Sequence, residues 1–140
     1  MNKQIKFPSI PLNYFDEDSA PTVEFTSGDT KLNLVLGTGV EYSTLYSKIP
    51  GKIVGHKTNK FTEISNPWGG DSAKYSLIEV ELLNNGYKFI AEMIPIKETE
   101  GPDSEIVSGF PIHGVLGIDF LRKYGFVIDF YNNIAYPILA

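Results

Sequence analysis

Strand-type alternation punctuated by turn dipeptides runs through most of this chain and helical periodicity is nearly absent, so its core has to be built from β-sheet. Pro21 to Thr26 and Lys31 to Leu36 flank Ser27-Gly28-Asp29-Thr30, a glycine-containing hairpin loop. Ile78, Val80 and Leu82 alternate along one face, Asn85-Gly86 gives the type I′ turn signal, and Tyr87 to Ile94 returns. Phe126 to Phe130, Asn132-Asn133 and Ile134 to Leu139 predict a third hairpin. Between these segments, Gly51 to Lys74 and Glu98 to Gly109 read as loop-rich tracts. A single short helix is predicted over Asp119 to Tyr124, following Gly117 and ended by Gly125, with Asp119 well placed in its first turn. Val40 to Ser47 has room for a turn or two at most.

Several function classes are disfavoured by composition. The 140 residues suit one domain, 1–140, and 42% hydrophobic against 21% charged residues is ordinary for a globular protein. A net charge of -5 without a basic stripe argues against nucleic acid and against an anionic membrane surface. No apolar run approaches the ~18 residues of a membrane span. Met1 to Pro8 carries two lysines with no apolar stretch behind them, which predicts a cytoplasmic protein. Cysteine is absent, and His56 and His113 have no partner at metal-ligand spacing, so neither thiolate chemistry nor a metal site is expected. His113, beside an apolar run, reads as a structural residue at a strand end. Tyr42 stands where a dinucleotide fingerprint needs a third glycine, no phosphate-loop lysine follows, and no Gly-x-Ser-x-Gly elbow exists; no cofactor is expected.

Two segments carry more specific information. Leu34-Val35-Leu36 runs into Gly37-Thr38-Gly39-Val40-Glu41-Tyr42-Ser43, and Ile112-His113-Gly114-Val115-Leu116-Gly117 opens the short helix. By itself, Gly-Thr-Gly is a flexible turn after a buried strand. Taken as a pair, the segments resemble the two signatures of a retropepsin-like aspartic protease subunit, and most closely the bacterial single-domain members. The order of signals follows that family over roughly residues 20 to 139, although the tract from Gly51 to Gly70 departs from a compact viral flap. The resemblance implies a closed, all-β acid-protease barrel with one short helix near the C-terminus. It also implies that Gly37, Thr38 and Gly39 occupy the catalytic Asp-Thr-Gly motif, with Gly37 in the aspartate position.

That replacement removes the chemistry. Aspartic proteases activate water between two carboxylates that lie about 3 Å apart and share one proton, one carboxylate from each subunit of the small dimeric members. Glycine has no proton to exchange, and Glu41, Asp29 and Asp119 are poorly placed to substitute. In the family, the residue matching Thr38 bonds the opposite loop, Ser43 is the small polar residue leaving it, and Trp68-Gly69-Gly70 would form a flap tip over a peptide groove; a plain packing role fits Trp68-Gly69-Gly70 as well. Tyr42, Tyr46, Phe110 and Phe120 are candidates for core or groove wall. Ile5 to Leu12 and Ile134 to Leu139 are the expected edges of a homodimer, limited by Pro8, Pro11 and Pro137. Three functional readings follow: a catalytically silent relative that binds an extended peptide or protein segment, a genuine homodimeric endopeptidase substituted at Gly37, or a structural domain with no groove ligand.

Overall fold

Inward-facing aliphatic and aromatic residues at every second position draw the strands into a closed barrel. A computed structural model describes residues 9–14, 18–46, 49, 51–64, 73–96, 106–107 and 110–138. Its strands are β1 (Ile10–Pro11), β2 (Thr22–Ser27), β3 (Thr30–Leu36), β4 (Ser43–Leu45), β5 (Gly55–Ile64), β6 (Ala73–Asn84), β7 (Tyr87–Pro95), β8 (Ile106–Val107), β9 (Phe110–Pro111), β10 (Gly114–Leu116), β11 (Phe126–Asp129) and β12 (Ile134–Pro137). One helix, α1 (Ile118–Tyr124), follows β10. Among the described residues no helix is long and apolar enough to cross a membrane.

Six strands close the ring in the order β2-β3-β10-β4-β7-β6, with Thr26 opposite Leu83 joining β6 back to β2. Val23 and Phe25, Leu32 and Leu34, Val80 and Leu82, Phe89 and Met93, and Leu116 are all buried inside it. Phe25, Phe89 and Phe120 meet edge to face at centroid distances of 5.7 to 6.3 Å, and Tyr124 and Phe126 extend the cluster. Aromatic pairs in such geometry add about 0.5–1.5 kcal/mol each beyond the area they bury. Asn85 (φ 49°) and Gly86 (φ 81°) form the tight β6–β7 turn, and α1 ends where Gly125 takes the left-handed conformation at φ 61°. The expected helix is therefore present, one residue longer at its start.

The connection that positions the candidate site is the least local one. Chain order would place β3 beside β4, yet β10, almost seventy residues on in sequence, lies between them: Gly114 to Leu116 run parallel to Leu34 to Leu36 and antiparallel to Thr44–Leu45. Of the expected core residues on and around these strands, Leu34, Leu36, Ile112, Leu116, Phe120 and Leu121 are buried; Val35, Val115, Val127 and Ile128 are half-buried.

Besides two short strands, Ser43–Leu45 within the expected turn Val40 to Ser47 and Ile106–Val107 within the expected loop Glu98 to Gly109, two larger expectations change. Much of the tract from Gly51 to Lys74 is strand, because Gly55–Ile64 pairs antiparallel with β6, interrupted by a register shift between Lys57 and Phe61. Its polar residues gave no alternation because neither face of β5 is buried. Residues 65–72, including Trp68, Gly69 and Gly70, lie outside the described residues, as do 97–105 and Ile5 to Pro8. Second, β12 is no free edge: it pairs with β1 on one side and β11 on the other in a separate three-stranded sheet.

Candidate functional site

The loop between β3 and β4 is fixed by its own backbone. Gly37 N–H donates to the Leu116 carbonyl at 2.8 Å, extending the β3–β10 ladder past the strand, and Val40 N–H returns to the Gly37 carbonyl at 3.1 Å to close a four-residue turn. The far side is clasped by α1, whose Ile118 N–H donates to Val40 O at 2.7 Å and Asp119 N–H to Glu41 O at 3.3 Å. Gly37 is buried, while Thr38, Gly39 and Val40 are exposed at the tip.

Ser43 and Asp119 lock the two motifs together. The buried Ser43 hydroxyl donates to Asp119 Oδ1 at 2.7 Å and accepts the Gly117 N–H at 2.9 Å. Asp119 also accepts from Ser43 N–H at 3.2 Å and Phe120 N–H at 2.8 Å. Ser43 is thus enclosed by the framework and presents no hydroxyl to a ligand. Asp119 serves both its helix and the loop exit, a pairing that sequence reasoning missed; a polar residue at the rim of each motif was its only signal.

Glycine at three positions follows from the closeness of this packing. A Cβ on Gly117 would sit 2.7 to 2.9 Å from the Tyr42 carbonyl and Val40 O, and one on Gly114 would collide with the Thr44 carbonyl. At Gly37 the neighbours are side chains: a Cβ would meet Val115 Cγ1 at 2.7 Å and Val40 Cβ at 3.2 Å, so the stiff β-branched Val115 would have to shift.

Glu41, Asp119 and Asp29 sit in different surroundings. Glu41 is exposed beyond the turn, and Asp119, also solvent-exposed, accepts three hydrogen bonds from the framework. Asp29 lies at the opposite end of β3, roughly 26 Å away at the ordinary rise per residue, accepting from the Lys52 N–H. His113 is 4% exposed and its Nδ1 accepts the Asn33 N–H at 2.9 Å; burial pushes its pKa down, keeping the ring neutral. Among the described residues no three His, Asp or Glu side chains come together as a metal site would require.

Two clefts open near the loop. One, of about 460 Å³, is lined by Thr44, Ile64, Tyr75, Ile94, Pro95 and Ile96, between β4, the end of β7 and the outer part of the β5–β6 hairpin. The other, of about 220 Å³, lies between Tyr42, Phe61, Leu77, Ile90 and Phe120, with Glu92 and Asp119 at its wall. Glu92 is paired with Lys60 at 3.2 Å. The hairpin root is pinned to the β2–β3 turn, Thr30 Oγ1 donating to Lys52 O at 3.0 Å and Val54 N–H to Ser27 Oγ at 3.0 Å. Comparison with models of known protein families and with curated proteins finds no match to this chain.

Proposed function

We propose that this protein is a catalytically silent relative of the single-domain retropepsin-like aspartic proteases that holds an extended peptide segment without cleaving it. The observation that carries the reading is the insertion of β10 between β3 and β4, with Leu116 O gripping the Gly37 N–H at 2.8 Å. Position 37 stands where this framework begins the loop, and glycine supplies no carboxylate there. Crowding of a Gly37 Cβ by Val115 and Val40 supports glycine as the native residue rather than a substitution in an active enzyme.

For binding, the 460 Å³ cleft is of the size that takes a peptide side chain with its flanking backbone, and Ile64, Tyr75, Ile94 and Ile96 favour an apolar one. Backbone pairing to an extended segment supplies affinity and such pockets supply selectivity. The exposed Thr38 and Val40 would be covered in a two-fold assembly.

The test restores the missing group. Gly37→Asp combined with Val115→Ala, which clears the Cβ, is expected to give peptide hydrolysis in acid that rises with protein concentration, as a shared-proton pair formed across a dimer requires. A dimeric double variant with paired carboxylates that neither cleaves nor binds a broad peptide library would overturn the groove reading.

A further inference from the structure

His113 holds both strands that flank β10. Its N–H donates to Asn33 O at 2.9 Å, and Asn33 N–H donates to its Nδ1 at 2.9 Å, so backbone and ring together clamp β3. On the other side the His113 carbonyl accepts the Tyr46 N–H at 2.8 Å, just beyond β4. An imidazole nitrogen accepts a hydrogen bond only while unprotonated; a proton on Nδ1 would place two donors face to face.

We propose that His113 is an acid-sensitive latch: its protonation breaks the Asn33 bond, loosens the inserted strand β10 from β3, and so frees the Gly37 loop that Leu116 holds at the other end of the same strand. Only Gly114 and Val115 separate the latch from Leu116, so little chain is available to absorb its release. The inference does not depend on peptide binding, because it concerns only the framework of the loop.

The surroundings favour a simple titration. Residues 112–117 carry no other ionisable group, β4 carries none, and β3 carries only the exposed Lys31. Tyr46, the titratable neighbour beyond β4, has its phenol pushed up by burial and stays neutral near pH 7. Burial alone lowers the His113 pKa, with no charged side chain among the described residues contributing. The unfolded chain therefore binds more protons than the native one below the ordinary value of 6.5. The clamp is fully present above pH 6.5 and is lost as pH falls toward the depressed native value.

Amide exchange followed by NMR between about pH 7.5 and about pH 5 tests this, read as protection factors so that the intrinsic pH dependence of exchange divides out. In the unaltered chain, protection at Asn33 and Gly37 should fall by up to about tenfold per pH unit. In His113→Asn, whose Oδ1 takes the place of Nδ1 and does not titrate, protection should stay level. Parallel loss in both proteins would overturn the latch. Should His113→Asn fail to fold, the ring itself decides the matter in the unaltered chain: an Nε2–H tautomer that protonates only below pH 6.5 supports it, and an Nδ1–H tautomer or protonation at or above 6.5 overturns it.

Discussion

The Gly37 loop and the β5–β6 hairpin lie close together and obey opposite rules. At the loop, backbone meets backbone: Gly114 and Gly117 leave no room for a methyl group, and Ser43, Asp119 and Leu116 tie up the polar atoms around the turn. In the hairpin no residue of β5 is buried, and Phe61 is 65% exposed. One region is dictated by the needs of the barrel, the other by whatever the barrel touches. Position 37 is instructive because it belongs to the tight region, where a Cβ would be crowded by the side chains of Val115 and Val40 rather than by backbone. Glycine relieves that crowding and supplies no titratable group.

Gly117→Ala strikes the tight region hardest, forcing a Cβ against the Tyr42 and Val40 carbonyls. It should destabilise the protein by about 3 kcal/mol or more, seen as a lower urea midpoint. A near-neutral result would mean that the loop and α1 are not packed as described. Ser43→Ala should cost less, about 1–3 kcal/mol, by leaving the buried Gly117 N–H without its acceptor. Loss of less than half a unit on that scale, roughly 0.5 kcal/mol, would show that water replaces the hydroxyl and that the two motifs are not locked through it. The smallest stability effect belongs to the hairpin. Tyr75→Ser changes a side chain already 36% exposed and should shift stability by about 0.5–1 kcal/mol, while weakening capture of an extended apolar peptide measured by fluorescence anisotropy. Equal peptide affinity in the variant would move the binding surface away from this cleft.

The same contrast explains what the sequence revealed. Barrel strands such as Leu32-Asn33-Leu34 and Val80-Glu81-Leu82 bury one face, and that alternation is visible in the residues; Asn85-Gly86 and Gly125 mark turns because their backbone needs positive φ. β5 was hidden because Lys57, Asn59, Lys60 and Glu63 face solvent and carry no period. The insertion of the distant strand β10 between β3 and β4 comes from tertiary pairing, and no local pattern encodes it. Asp119 could be placed at a helix start from sequence, but its hold on Ser43 depends on bringing two remote segments within 2.7 Å.

The most direct measurement of the central claim is mass spectrometry of a broad peptide library after incubation with the unaltered chain, from about pH 3 to about pH 8. Water activation by a shared-proton carboxylate pair is impossible with Gly37, so the account predicts retained, intact peptides enriched for an extended apolar segment and no new termini above background. Specific cleavage that disappears when the chain is omitted would contradict it.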